Sequence, residues 1–286
     1  RSAGRRALSL EGGVQMLSKL LKHEIKDTAR IIPFLYLIAF AAAAIAFISF
    51  STGINWLRYS SSILLILIGI AVFIVTLVFI SVRFYQNLYS REGYLMFTLP
   101  VKPHFLLISK AIVSISWLIL SSIVTVISFL CALYFLGVLE SVSLNELWNY
   151  IMQLPYGNLV HAVIPLSIFS VIYLVGQIYF SITLSNIPAF HNMSVVSAIV
   201  IFIVLNFALR IIDSIFAIIS PISIHISAAG ASFSTQTMLG FLLKNIGNSN
   251  MSEMVIGLGG IIFQIIAACL LYYLSGRLMN KKVSIR

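Results

Sequence analysis

The sequence predicts an all-α, polytopic membrane protein: six transmembrane helices, an amphipathic helix before the first, and a short cytoplasmic helix between the second and third. Three observations carry this reading. Hydrophobic residues make up 60% of the 286 residues and charged residues only 9%, against about 25% charged in a soluble domain. Mean hydropathy is +1.06; no water-soluble core encloses that much apolar surface, so lipid must be part of the solvent. Apolar runs of about 20 residues recur along the chain, and the Lys and Arg residues between them are unevenly shared.

Residues 1–15 (RSAGRRALSLEGGVQ) differ in character from the rest of the chain. A natural start at Met16 is expected, with 1–15 the remnant of an expression tag; a basic tail at the membrane surface is the alternative. The remaining 16–286 read as one transmembrane domain. In MLSKLLKHEIKDTAR, Leu17, Leu20, Leu21, Ile25 and Ala29 form one stripe, and Lys19, Lys22, His23, Lys26 and Arg30 another. That pattern predicts a helix lying in the interface, lysines towards anionic headgroups; a plain basic flank is the alternative.

The six spans fall at Ile31 to Ser51, Ser60 to Val82, Ala111 to Leu139, Leu159 to Ser185, Ser194 to Ile219, and Met254 to Gly276. The third is long enough to tilt, and Pro165 is placed to kink the fourth. Fifteen of the 18 Lys and Arg residues fall on one side. They lie in the N-terminal segment, the second connection (Arg83, Arg91, Lys102, Lys110) and the tail (Arg277, Lys281, Lys282, Arg286). Arg58 and Lys244 are alone on the other side, and Arg210 is inside a span. Both termini are therefore expected in the cytoplasm. A basic, soluble nucleic-acid face is not what this distribution describes.

Two outer connections hold structure of their own. In SLNELWNYIMQL, Ser143 and Glu146 have capping-box spacing, with Leu144, Leu147, Trp148 and Ile151 on one face; Trp148 and Tyr150 suit an outer interface. Thr235 to Asn245 is apolar but too short to span. It reads as a re-entrant or interfacial helix stopped by Gly247, or as an ordered loop.

Chemistry-bearing motifs are missing. The chain has no phosphate-binding G-x-x-x-x-G-K-[ST], no H-E-x-x-H and no G-x-S-x-G. Its five histidines lack ligand spacing, and Cys131 and Cys269 sit in apolar runs as small hydrophobes. Of eight carboxylates only Asp213 lies in a span, too few for a buried proton route.

The stretch REGYLMFTLPVKPHFLLISKA, from Arg91 to Ala111, is too apolar for a mere cytoplasmic loop. Tyr94, Leu95, Met96, Phe97 and Leu99 form a ridge opened by Arg91, Glu92 and Gly93, and Pro100 and Pro103 stop a helix there. An aromatic knob of this kind fits a pocket on another protein, or buries itself in the membrane interface. LLKHEIKDTARIIPFLYL and RFYQNLYSREGYLMFTLPVKPHFLLISKAI together resemble permease subunits of ATP-binding-cassette transporters, the type-two exporter group of Gram-positive bacteria that exports peptide toxins and antimicrobial peptides. The two motifs cover about a fifth of the chain, and the six-span layout nearly all of it.

The resemblance implies two permeases, identical or related, and two ATPase subunits that bind ATP and magnesium, with no cofactor in this chain. It implies a multi-pass protein of the plasma membrane whose stretch between spans two and three docks on the ATPase. Glu92 and Arg91 would then make polar contacts, Gly93 the close turn, Tyr94, Met96 and Phe97 the groove contacts. Leu95, Thr98 and Leu99 complete the helix, which Pro100 ends.

In the fifth span Asn206, Arg210 and Asp213 form a polar stripe; Arg210 is about 24 Å along it from Ser194. An intramembrane charge points to function by default, the alternative being a local Arg210–Asp213 ion pair with Arg210 snorkelling. Gln177 and Gln264 are further buried polar candidates on the substrate path. A sparsely charged pathway suits a hydrophobic or amphipathic cargo, an amphipathic peptide first, lipids or drugs next. An ATPase-independent channel or secondary transporter, and a non-transporting scaffold, remain the competing readings; a membrane enzyme comes last.

Overall fold

The computed structural model describes residues 18–89, 103–137, 146, 160–187, 194–227, 230–245 and 254–281. The expected tag remnant at 1–15, the ridge at 91–100 and the outer helix at 143–151 (Glu146 apart) lie outside them.

Within the described residues the chain is dominated by helices. Residues 18–28 form α1. Then come α2 (Ile32–Ser51), α3 (Asn55–Tyr89), α4 (Pro103–Phe135), α5 (Val160–Ser185) and α6 (Ser194–Ile219). After them come β1 (Ser223–Ser227), β2 (Gly230–Ser234), α7 (Met238–Lys244), β3 (Met254–Gly257) and α8 (Gly259–Lys281). Six helices, α2 to α6 and α8, are long and apolar enough to cross a membrane. Helices suit lipid because they satisfy every interior backbone group within the segment.

By its internal contacts the chain divides into two compact units, Arg1–Val142 with Ser284–Arg286, and Ser143–Val283. In the first, α2, α3 and α4 pack in all three pairings. Pro33 opens α2, where a missing N–H costs nothing. Its buried edge is small, Ala39, Ala42 and Ala46, while Phe34, Phe40 and Phe47 stay exposed. Small residues let helices approach closely where lipid removes the hydrophobic drive. Ala42 and Ala46 meet Leu65 of α3 and Ala132 and Phe135 of α4 in one cluster. The Arg58 guanidinium lies 4.8 Å from the Phe50 ring centre and donates to the Phe135 carbonyl, so a cation sits on the orphan carbonyls that end α4.

In the second unit α5, α6 and α8 likewise pack in all three pairings. Tyr173, Ala267, Ala268 and Leu271 are its buried centre. α5 is the most enclosed span, whereas in α6 only Ala198 is buried among the described side chains.

The second unit departs from the all-α expectation in one place. Between α6 and α8 lies a three-stranded antiparallel sheet in the order β2-β1-β3, with Ile224 paired to Phe233 and to Ile256. The alternation in SIHIS is the period of a strand. The sheet also corrects the last span: residues 254–257 pair as β3, and the helix begins at Gly259 rather than Met254. The short apolar helix of this connection is seven residues, Met238–Lys244, capped by Thr237, whose hydroxyl accepts from the Gly240 N–H. The second span is longer than the apolar run predicts, Asn55–Tyr89, and the third starts at Pro103. Hydropathy marks where lipid ends, and a helix continues past it.

Gly257 fixes how closely β3 and α6 approach. A Cβ there would lie 1.8 Å from the Ala217 carbonyl oxygen, whereas one at Gly276 meets nothing within 4 Å. Gly257→Ala is therefore expected to destabilise by about 1–3 kcal/mol, as overpacking does. Gly276→Ala should leave the thermal midpoint in detergent unchanged or slightly raised, helix propensity favouring alanine.

Candidate functional site

Two polar centres stand out, one in each unit. The first ties α1 to α3 and α4. Glu24 of α1 is 6% exposed and Lys110 of α4 is 4% exposed; their side chains form a direct ion pair. Arg83 of α3 reaches Glu24 Oε2 at 3.4 Å and Asp27 Oδ2 at 3.0 Å. His23 Nδ1 lies 3.1 Å from Asp27. Two carboxylates and two side-chain cations thus balance, which a buried charge requires. One turn on, the indole N–H of Trp117 donates to Thr28 Oγ1 at 2.8 Å, and that hydroxyl donates to the Glu24 carbonyl at 2.8 Å.

The face that α1 turns to the bundle is therefore Glu24 and Thr28. Of the apolar stripe, Ile25 is 49% exposed. The expected amphipathic helix has its ionic edge as its protein contact, because tertiary partners for Glu24 and Asp27 lie on α3 and α4.

From this clamp a polar seam continues along α4. Lys110, Ser114, Trp117, Ser121, Thr125 and Ser128 recur at three- and four-residue spacing, one helix face. Eighteen residues of helix run about 27 Å, most of a hydrocarbon core about 30 Å thick. The Tyr36 hydroxyl of α2 donates to the Trp117 carbonyl at 3.3 Å and lies 3.0 Å from Ser121 Oγ. Ser121 donates to Thr76 Oγ1 of α3 at 2.9 Å, and Thr125 to the Gly69 carbonyl at 2.8 Å. All three helices are stitched by hydroxyls.

The second centre gathers the substrate-path candidates. Asn206 of α6 donates to Gln177 Oε1 of α5 at 2.8 Å. Gln264 of α8 donates to Asp213 Oδ2 of α6 at 2.9 Å. Each of the four thus finds its partner on a neighbouring helix. The expected Arg210–Asp213 ion pair does not form: Asp213 is engaged by Gln264, and Arg210 is exposed with no ion pair among the described residues. Oδ1 of Asp213 is buried without a hydrogen bond, packed where a Cβ on Gly260 would meet it at 2.7 Å. Gly260 lies in the first turn of α8, so the carboxylate sits at the positive end of that helix.

Tyr173 joins this centre, although a tyrosine in an apolar run carries no signal in the sequence. It is 4% exposed, with its hydroxyl beside the Gln177 side chain but outside hydrogen-bond geometry. Glu24, Asp27, Arg83 and Lys110 are legible in the sequence only as charges at the ends of apolar runs. No group of three or more His, Cys, Asp and Glu residues suited to a metal ion occurs among the described residues. The expected ATPase contacts, residues 91–100, lie outside them, but their anchors are visible: Tyr89 ends α3 and Pro103 begins α4.

Breaking the clamp should be costly, replacing it cheap. Lys110→Met alone leaves Glu24 buried without its nearest cation, an expected loss of about 3–5 kcal/mol. Adding Glu24→Leu should restore most of the thermal midpoint; a double variant as unstable as the single would show that the pair itself is not the cause. No family model, curated protein or solved structure matches the chain.

Proposed function

We propose that this chain is the membrane-spanning permease subunit of an ATP-driven exporter in the plasma membrane, with both termini cytoplasmic. Residues 91–100 are its docking segment for a separate ATPase, two copies of which serve two permease chains. ATP and magnesium belong to that partner. The cargo is hydrophobic or amphipathic, an amphipathic peptide before a lipid or drug. Six apolar spans and the Lys/Arg asymmetry support a polytopic chain of this orientation.

One observation carries the reading beyond an inert membrane bundle. The connection 90–102 is rooted in α3 and α4, and the Glu24–Lys110–Arg83–Asp27 clamp holds both helices to α1 close to those roots. A force applied to residues 91–100 is then delivered to a braced pair of helices rather than lost in a pliable loop. The Tyr36–Ser121–Thr76 bonds extend that bracing into the bundle. The exposed basic stripe of α1 supports its lying along the cytoplasmic interface.

The test is reconstitution of the chain in lipid vesicles with the ATPase encoded beside it, scoring co-purification, ATP hydrolysis and ATP-driven cargo flux. Glu92→Ala/Phe97→Ala should release the ATPase or reduce flux by about tenfold or more while the permease stays folded. Undiminished flux in the double variant would remove the coupling role, and flux without any ATPase would favour a channel or secondary transporter. ATPase binding with no flux would favour a scaffold.

A further inference from the structure

We infer that α1 is a docking surface selective for anionic phospholipid headgroups, made so by the clamp and independent of any ATPase.

α1 presents three faces. Glu24 and Thr28 are buried and turn to α3 and α4. Lys19, Lys22 and Lys26, at i, i+3 and i+7, lie about 150° round the helix from them. These three lysines are exposed, as is Arg30 in the turn that follows. Between the buried face and the cations come Ile25, 49% exposed, and the exposed Ala29. Where α2 begins, Ile31 and Phe34 are exposed apolar side chains as well.

The acids of α1 decide the sign of its outward face. Asp27 stands three residues from Arg30, a spacing at which the two would pair along a helix. Its Oδ2 is instead engaged by Arg83 at 3.0 Å and His23 at 3.1 Å. Glu24 is engaged by Lys110 and Arg83. Both carboxylates of the helix are thus drawn to its inner side by cations from α3 and α4. None of Lys19, Lys22, Lys26 and Arg30 has an ion pair among the described residues. A helix of mixed charge in sequence becomes, once packed, a cationic face with no counter-ion of its own.

A basic face alone suits water as well as lipid. The exposed apolar residues beside this one do not suit water. A cationic face flanked by an apolar one is the pattern of a helix at a lipid surface. There the lysine stems reach out to phosphates while Ile25, Ile31 and Phe34 enter the acyl boundary. α1 passes through a three-residue turn into the span α2, which holds the face at headgroup level. Clusters of four or more Lys and Arg beside a span attract anionic lipid, each adding about a fivefold preference near the surface.

The test is hydrogen–deuterium exchange of the full chain in phosphatidylcholine nanodiscs, with and without about 30% phosphatidylglycerol. Amides of residues 18–28 should exchange about tenfold more slowly with phosphatidylglycerol, while those of α5 and α6 stay unchanged. Sodium chloride at about 0.5 M should remove most of the difference. Lys19→Gln/Lys22→Gln/Lys26→Gln/Arg30→Gln should abolish it without lowering the thermal midpoint in detergent. Lys19→Arg/Lys22→Arg/Lys26→Arg should keep it. No slowing of α1 would leave its cations to water or to a protein partner and overturn the inference. A slowing shared by α5 and α6, or one that survives in the glutamine variant, would overturn it too. The same slowing from inorganic phosphate over pure phosphatidylcholine would assign the face to a soluble anion, and overturn it equally.

Discussion

A carboxylate taken out of water must be met by a cation, and Glu24 is met by two. With Glu24 at 6% and Lys110 at 4% exposure, neither charge tolerates the loss of the other. That constraint places a helix which carries little apolar reason to pack on the bundle. Ile25 stays exposed while Glu24 and Thr28 turn inward, so α1 is held by charge and hydrogen bonds. Buried ion pairs contribute little net stability compared with apolar contacts, but they admit few alternative registers. The clamp therefore acts as a positioning device, joining α1 to the two helices from which residues 90–102 depart.

The rest of the first unit follows the same logic in neutral form. Lipid is as apolar as leucine, so helices in a bilayer gain little from hiding aliphatic side chains from it. What they gain comes from close packing and from polar groups that have no better partner. The α4 seam supplies those groups at every turn, and Tyr36, Thr76 and the Gly69 carbonyl receive them. In the second unit the same role falls to two amide-centred pairs, Asn206–Gln177 and Gln264–Asp213. Against that background Asp213 Oδ1 stays without a hydrogen bond and Arg210 without an ion pair among the described residues.

Much of the architecture was legible because hydropathy reports lipid contact. Ile32–Ser51 and Ser194–Ile219 coincide with their apolar runs. Where helix and lipid part company, hydropathy misled: Asn55, Trp56 and Arg58 before the second run, and Arg83 to Tyr89 after it, are helical without being greasy. The small sheet went unread because SIHIS and MVIG are too short to stand out against neighbouring spans. In the candidate site, the polar residues Gln177, Asn206, Asp213 and Gln264 were legible as anomalies in apolar runs. Their partners were not, since each pairing crosses between helices 29 and 51 residues apart in sequence. Spacing along one helix suggested Arg210 with Asp213, and a tertiary contact to Gln264 took precedence. The clamp was invisible for the same reason: Glu24 and Lys110 are 86 residues apart.

Hydrogen–deuterium exchange of the intact chain in lipid, comparing wild type with Lys110→Met, tests the clamp most directly. If Glu24 and Lys110 hold α1 in place, amides in residues 18–28 should exchange at least about tenfold faster in the variant, while those of α5 and α8 keep their protection. Equal protection of α1 in both proteins would show that it is held by something other than the ion pair, and the bracing of α3 and α4 would lose its basis.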